Sequence, residues 1–240
     1  MLVLQSSVPS WDRLKSDLSN LPLSGLVLLT LPQGELPAQA RTFLSPSERR
    51  AARAYTREHL AGQYLWRRAV LRWILGQVLN QAPSEVDLAL GPLGKPENPQ
   101  LCFNLSFSGS QVAYIWGPRD KAVGVDIEVP RPGDFDGPEG PKADSFRAVV
   151  QQFFSPEERD WLGEEEVLGN WRAWVDGFYT LWCRKEALVK AAGVSIGSHG
   201  DICPVLGPGP GEIPVEWEGK RWRLLDLGVS GLYGARAFQI

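Results

Sequence analysis

The stretch Val123–Val129, with the sequence VGVDIEV, is the most informative part of the chain. Its branched apolar residues alternate with Gly124, Asp126 and Glu128, and this period of two predicts a β-strand whose apolar face lies against the core. The two carboxylates then lie side by side on the other face. Like charges this close raise each other's pKa unless a cation lies between them, and oxygen ligands of this kind suit magnesium. The alternative is a half-exposed strand with a polar outer face.

A second pattern, WCRKEALVK, falls within a predicted helix over Phe178–Ala192. Glu186 and Lys190 are four residues apart, so they lie on one side of that helix, one turn from each other. Two readings stay open at this point. The pair is either a surface ion pair or a third carboxylate for a metal with a lysine beside it for a phosphate. Arg184 and Lys185 are expected to add positive charge nearby.

Two segments have the same helix-start pattern. Ser45–Glu48 (SPSE) and Ser155–Glu158 (SPEE) each offer a serine N-cap, a proline at the first helical position and a glutamate that closes a capping box. Each leads into a further helical pattern containing Leu-Trp, the first ending near Gly76 and the second near Gly193. We interpret the two segments as copies of one unit. Chance similarity is the alternative, since capping boxes are common.

Short apolar runs bounded by turn residues predict strands between these helices. They are Leu26–Leu31, Leu101–Leu105, Gln111–Trp116, Lys121–Val129, Val215–Leu227 and Tyr233–Gln239. The interleaving predicts an α+β fold, pseudo-duplicated into two lobes that are each a small sheet packed with helices. A boundary near Pro118–Lys121 gives domains 1–120 and 121–240. Pro130–Asp144 is predicted to be an exposed loop, and Gly207–Gly211 a turn.

Composition narrows the class of protein and the chemistry. With 240 residues, 43% of them apolar, the chain can bury a core, and its net charge of -3 gives no general reason to expect nucleic acid as partner. No apolar run is long enough to span a bilayer and no signal-peptide pattern is present, so we expect a cytoplasmic protein without a membrane partner.

The three cysteines are expected to be buried, reduced thiols. Two histidines indicate neither a zinc site nor a triad, which leaves carboxylates, lysines and arginines for any chemistry. These residues are Cys102, Cys183, Cys203, His59 and His199.

The exception to the weak overall charge is one local basic region. It comprises Arg49, Arg50, Arg53, Arg57, Arg67, Arg68 and Arg72. A solvated helix face and a phosphate site are both compatible with this pattern.

Taken together, several motifs resemble one enzyme family. GVDIE at Gly124–Glu128, followed by LWCRKEALVKAAG at Leu181–Gly193, resembles the paired signature of the 4'-phosphopantetheinyl transferases of the Sfp type, G-[IV]-D-[IV]-E and then W-x-x-K-E-[AS]-x-x-K. Every fixed position of that signature is met. Gly94–Pro96 (GKP) and Phe103–Ser106 (FNLS) are similar to two further family motifs, and Ser45–Arg72 resembles the family's N-terminal helix pair.

The resemblance, which runs from about Phe43 to Gly193, implies a reaction. The family transfers the 4'-phosphopantetheine arm of coenzyme A to a serine of an apo acyl or peptidyl carrier protein, with magnesium, and releases 3',5'-ADP. By the same resemblance the magnesium ligands are Asp126, Glu128 and Glu186. Lys190 contacts the diphosphate of coenzyme A, and Glu186 is the candidate to accept the serine proton.

Further contacts with coenzyme A are implied for other residues. Lys95 and Pro96 would border the adenine, and Ser106 would bind phosphate. Arg50, or its neighbour Arg49 or Arg53, would hold the 3'-phosphate of the adenosine. The N-terminal lobe would thus serve the adenosine side and the C-terminal lobe the metal and the catalytic helix, within a monomer.

One residue departs from the family pattern. Phe107 stands where the family has a histidine that contacts phosphate, and a phenylalanine ring cannot hydrogen-bond a phosphate. A lost charged hydrogen bond costs about 1.5–3 kcal/mol. Phe107 therefore leaves open a non-catalytic homologue that binds coenzyme A or a carrier protein. Independently of Phe107, another magnesium-dependent phosphotransferase is the second alternative.

Overall fold

The computed structural model describes residues 2–7, 10–91, 94–198, 204–207 and 211–240. The chain divides into two compact units. The first comprises Met1–Phe103 with Phe107–Asp120, and the second comprises Asn104–Ser106 with Lys121–Ile240. Small sheets packed with helices confirm the predicted α+β fold class.

Among its described residues, the first unit contains four helices and a four-stranded sheet. The helices are Trp11–Asp17 (α1), Ala38–Arg41 (α2), Pro46–Ala52 (α3) and Glu58–Leu79 (α4), and a 3₁₀ turn spans Pro83–Glu85. The strands are Leu2–Ser7 (β1), Gly25–Thr30 (β2), Ala89–Leu90 (β3), Pro96–Glu97 (β4), Leu101–Ser108 (β5) and Gln111–Pro118 (β6). The sheet order is β1-β2-β6-β5, with β1 parallel to β2 and β2 antiparallel to β6. β3 and β4 form a separate antiparallel pair.

The second unit contains an antiparallel sheet covered by one long helix. Its helices are Pro141–Phe153 (α5), Pro156–Val167 (α6) and Trp171–Ala192 (α7), with a 3₁₀ turn at Ile196–Ser198. Its strands are Val123–Glu128 (β7), Glu212–Trp217 (β8), Lys220–Asp226 (β9) and Tyr233–Gln239 (β10). The sheet order is β7-β10-β9-β8, so β7 stands at one edge. α7 packs against β7, β10 and β9, and it contributes about half of the buried residues in the core cluster described for this unit.

Both predicted capping boxes are confirmed. The backbone N–H of Glu48 donates to Ser45 Oγ over 3.2 Å, and Ser45 N–H donates to Glu48 Oε2 over 2.8 Å. Glu158 and Ser155 exchange the same two bonds, over 3.3 and 2.8 Å. Each box satisfies two of the backbone donors that a helix start leaves open.

The bounds of several predicted elements were wrong. The segment 215–227 is two strands, because Glu218 and Gly219 both adopt positive φ and close a two-residue hairpin turn. α7 begins at Trp171, where the Asn170 side chain caps it, and α5 begins at Pro141 within the predicted loop. α4 continues three residues past Gly76, to Leu79.

Some predictions fall on residues that the structure does not describe. Cys203, His199 and the centre of the Gly207–Gly211 turn lie outside the described residues. Of the other two cysteines, Cys183 is buried and Cys102 is half-buried, and both are free.

Candidate functional site

β7 carries the predicted carboxylates in a more buried setting than its alternation suggested. Asp126 is only 3% exposed, and every residue from Val123 to Ile127 is buried. The alternative of a half-exposed strand with a polar outer face is therefore wrong. The face that bears Gly124 and Asp126 is covered by α7.

Gly124 explains how α7 lies so close to this face. A Cβ added at Gly124 would fall 2.1 Å from the carbonyl oxygen of Ala187 and 2.5 Å from the nitrogen of Ala191. Real Cβ atoms do not approach other atoms this closely, so only glycine permits the contact. Because these two backbone atoms lie next to Glu186 and Lys190 in sequence, the contact brings both side chains to β7.

The result is a compact group of side chains, here called the Asp126 cluster, made of Ser106, Asp126, Glu186 and Lys190. Lys190 Nζ lies 2.6 Å from Asp126 Oδ1 and 3.9 Å from Glu186 Oε2. Ser106 Oγ donates to the same Asp126 Oδ1 over 2.7 Å. The ion pair between Glu186 and Lys190 is thus present at 3.9 Å, but the closer partner of Lys190 is the buried Asp126.

The carboxylates of this region influence one another. Burial raises the pKa of Glu186 above its ordinary value, Lys190 opposes this shift, and the charges of Asp126 and Glu128 add to it. Burial also raises the pKa of the Cys183 thiol well above its usual range, and the same two carboxylates contribute. A cation placed among these groups would remove the repulsion.

The donor set suits a hard divalent cation. Asp126 Oδ2 is buried and accepts no hydrogen bond from a nitrogen or hydroxyl donor among the described residues, so one carboxylate oxygen is left for a further ligand. Within the described ranges, no three histidine, cysteine, aspartate or glutamate side chains lie together as a ready metal cluster. Magnesium usually takes one or two protein carboxylates together with substrate phosphates and water. The residues present therefore fit magnesium in chemistry, without forming a closed cage.

The two basic residues before Glu186 do not add free charge to the site. Lys185 is fully buried and lies 2.8 Å from Glu158 Oε2. Arg184 binds Asp226 through two hydrogen bonds of 2.9 and 2.7 Å. The expectation that these cations would add positive charge beside the phosphate was wrong, because Lys185 pairs with the buried Glu158 and Arg184 pairs with the half-buried Asp226.

The remaining predicted contacts for coenzyme A lie in the first unit. Arg49 and Arg50 are exposed on α3, and Arg53 is exposed directly after it, as its C-cap residue. Lys95 and Pro96 are half-buried, and the Lys95 carbonyl accepts a hydrogen bond from Gly91 that closes the β3–β4 turn.

The basic region is not one surface. Arg68 and Arg72 are buried and bind the two oxygens of Glu48, each over 2.7 Å. Arg67 is also buried, and its guanidinium carbon lies 3.7 Å from the centre of the Phe107 ring. A cation over an aromatic face is attracted to it. The reading as a solvated face therefore fails for these three arginines, and Arg68 and Arg72 are already paired with Glu48.

Sequence reasoning missed how Ser106 and Asn104 are used. Ser106 Oγ accepts from the Ile127 N–H over 3.3 Å, and Asn104 Oδ1 accepts from the Val125 N–H over 3.5 Å. The signal was available in the spacing of the FNLS motif: residues two apart on a strand point to the same side.

Comparison with known proteins points to one family. The sequence profile of the 4'-phosphopantetheinyl transferase superfamily matches residues 122–223, the region that holds β7 and α7. Over this region the chain is similar to that superfamily. It is 30% identical over 176 residues to a phosphopantetheinyl transferase of Thraustochytrium sp., a match that covers 69% of this chain and 58% of that protein.

Two bacterial 4'-phosphopantetheinyl transferases are covered more fully. HetI of Nostoc sp. is 28% identical over 206 residues, or 83% of this chain and 79% of HetI. Sfp of Bacillus subtilis is 24% identical over 179 residues, or 73% of this chain and 71% of Sfp. For other relatives the chain spans less than two thirds of their length, for example 59% of a Synechocystis protein and 58% of the Thraustochytrium one.

No helix among the described residues is long and apolar enough to cross a membrane.

Proposed function

We propose that this protein is a 4'-phosphopantetheinyl transferase, which transfers the 4'-phosphopantetheine arm of coenzyme A to a serine of an apo acyl or peptidyl carrier protein. The products are the holo-carrier protein and 3',5'-ADP. The observation that carries the proposal is the Asp126 cluster, in which Gly124 lets α7 bring Glu186 and Lys190 onto a buried aspartate. The names of the relatives support the general reaction.

The reaction forms a bond between the serine oxygen and the β-phosphorus of coenzyme A and breaks the bond from that phosphorus to 3',5'-ADP. Asp126, Glu128 and Glu186 would hold magnesium, which when bound neutralises the diphosphate and the leaving group. Lys190 supplies a positive charge beside Asp126. We propose that the serine proton goes to Glu186, the carboxylate of this group that lies on α7 beside Lys190.

The first unit would bind the adenosine end of coenzyme A. Arg50 is proposed for the 3'-phosphate, with Arg49 and Arg53 as neighbours that are equally exposed. Lys95 and Pro96 are proposed to border the adenine. We also propose that the protein is a cytoplasmic monomer without nucleic-acid or membrane partners. Light scattering in solution would test the monomeric state.

The test is the intact mass of an apo acyl carrier protein after incubation with this protein, coenzyme A and magnesium. We expect a gain of one phosphopantetheine that disappears with EDTA. Glu186→Gln is expected to lower the transfer rate at least about 100-fold, as removal of a proton-transfer group does. Asp126→Ala, which removes a proposed magnesium ligand, should lower it comparably. Glu164→Gln, an exposed glutamate on α6, is the matched control and should transfer normally. Normal turnover by Glu186→Gln would exclude its assigned role.

A non-catalytic homologue is the second candidate, and Phe107 favours it. The ring replaces a histidine of the family pattern and supplies no donor to a phosphate. Coenzyme A binding without any mass gain, on both acyl and peptidyl carriers, would support this candidate. Activity with ATP and none with coenzyme A would instead indicate another magnesium-dependent phosphotransferase.

A further inference from the structure

We infer that Ser106 is a positioning residue, which fixes the carboxylate of Asp126 while capping the free edge of β7. The inference rests on the proposed function, because it concerns the carboxylate expected to hold magnesium. It differs from the role that the family resemblance implies for Ser106, which is direct binding of phosphate.

The first observation is that the Ser106 hydroxyl has no capacity left. A serine hydroxyl has one proton to donate and two lone pairs. The proton goes to Asp126 Oδ1 over 2.7 Å, and the oxygen accepts from the Ile127 N–H over 3.3 Å and from Lys190 Nζ over 3.4 Å. Ser106 is also buried. To donate to a phosphate, the hydroxyl would have to give up Asp126.

The second observation concerns the edge of the sheet. β7 pairs with β10 on one side, and N–H groups of alternate residues point to the other side. Two of these, on Val125 and Ile127, donate to Asn104 and Ser106 side chains instead of to a strand. Asp126 lies between them, so the two caps fix the backbone on either side of the residue whose carboxylate Ser106 also binds.

The third observation is that this arrangement leaves one oxygen of Asp126 available. Ser106 and Lys190 both bind Oδ1, while Oδ2 accepts no hydrogen bond from a nitrogen or hydroxyl donor among the described residues. The thiol of Cys183, a weak donor, also interacts with this carboxylate. Hydrogen bonds to a ligating carboxylate set its orientation, and loss of such a partner typically lowers metal affinity or activity 10–100-fold. Ser106 therefore presents Oδ2 by holding Oδ1.

The experiment compares wild type with Ser106→Ala in two titrations. Binding of Mn²⁺, used as the probe for magnesium, is measured by electron paramagnetic resonance without coenzyme A. The KM for coenzyme A is then measured at saturating metal. We expect Mn²⁺ affinity to fall about tenfold or more and the KM to stay within about twofold of wild type. Unchanged Mn²⁺ affinity with a raised KM would overturn the inference and favour direct phosphate binding.

Two further variants separate the hydroxyl from its neighbours. Ser106→Thr keeps the hydroxyl and should restore Mn²⁺ affinity. Ser106→Cys keeps the size but is a weak donor and acceptor, so it gives the same comparison if the alanine variant does not fold. We expect it to fall between wild type and alanine.

An edge-specific measurement keeps the inference testable if the wild type binds no Mn²⁺, an outcome that would count against the proposed metal and not against the cap. Amide hydrogen exchange at Ile127 should be faster in Ser106→Ala or Ser106→Cys than in wild type, because that N–H loses its acceptor. Exchange at Val125 should change most in Asn104→Ala. Unchanged exchange at Ile127 in both serine variants would overturn the inference.

Discussion

The segments that begin at Ser45 and Ser155 are built alike up to the buried glutamate that closes each capping box. Glu48 is 4% exposed and Glu158 is fully buried. Each glutamate uses one oxygen for its box and also binds cations from the long helix that follows. A polar corner of this kind is therefore present in both units, each within its own fold.

The difference lies one residue beyond the paired cation. In α7, Glu186 follows the buried lysine directly and Lys190 comes one turn later; in α4, the two positions after Arg68 at the same spacing hold Ala69 and Trp73. The scaffold occurs in both units, whereas the titratable groups of the site occur in the second. The capping-box glutamate and its ion pair therefore occur in both units, whereas Glu186 and Lys190 have counterparts of neither charge in the first.

This comparison also corrects the internal alignment. Matching the Leu-Trp pairs places Trp66 opposite Trp182. The ion pairs instead place Arg68 opposite Lys185, which shifts the alignment by one residue. The shifted alignment also places Gly76 opposite Gly193.

Replacing Glu158 or Glu48 by alanine should give the largest losses of stability. The two losses show which of the two buried ion pairs contributes more. Glu158→Ala deletes the carboxylate that the fully buried Lys185 binds, and breaking a buried pair costs about 3–5 kcal/mol. Glu48→Ala should cost less, because Arg72 keeps a hydrogen bond of 2.9 Å to the Val86 carbonyl. Urea denaturation of both variants measures the two free energies of unfolding. A larger loss for Glu48→Ala would reverse the ranking.

A methyl group at Gly124 should separate α7 from β7. Overpacking of this kind costs about 1–3 kcal/mol of stability, and phosphopantetheine transfer should fall more steeply than stability because the Asp126 cluster is pulled apart. Gly163→Ala on α6 is the control, since no neighbouring atom lies within 4 Å of the added Cβ, and it should stabilise by up to about 1 kcal/mol. Transfer assays and thermal melts of both variants make the comparison. Normal transfer by Gly124→Ala would mean that the close contact is not required.

The smallest effect should be a difference in acid sensitivity at the first corner. Burial tends to raise the pKa of Glu48, but the charge of Arg68, the Ser45 N–H and Arg72 together hold it below its usual value. A pKa that is lower in the folded state gives stability that is present above the unfolded value and is lost as pH falls through the folded one. The free energy of unfolding should therefore decline below about pH 4.5.

The matched variant for this measurement is Glu48→Gln, which cannot ionise. Its free energy of unfolding should be lower at neutral pH and flatter between pH 5 and pH 3 than that of the wild type. Equal slopes for the two proteins would show that Glu48 contributes nothing to the acid response.

Local patterns predicted β7, α7 and both capping boxes, because each depends on residues close in sequence. The contacts of the Lys185 and Glu186 side chains were harder to predict, because adjacent side chains on a helix point about 100° apart. One reaches Glu158, which is 27 residues earlier, and the other faces β7. No spacing within the motif states which neighbour meets the core.

The burial of Asp126 was beyond prediction for a related reason. A period of two assigns it to a face, but what covers that face depends on Gly124 accepting the backbone of Ala187. The side-chain caps on β7 likewise come from a segment about twenty residues earlier.

The position of Asn104–Ser106 in the sequence affects how the gene could be truncated. Asn104–Ser106 belongs to the second unit, although the residues on either side of it belong to the first. A half-length product starting at Lys121 would keep Asp126, Glu186 and Lys190 but would leave a bare strand edge, the kind of surface that recruits foreign chains. The second unit is discontinuous in sequence, so no single cut in the gene yields it whole.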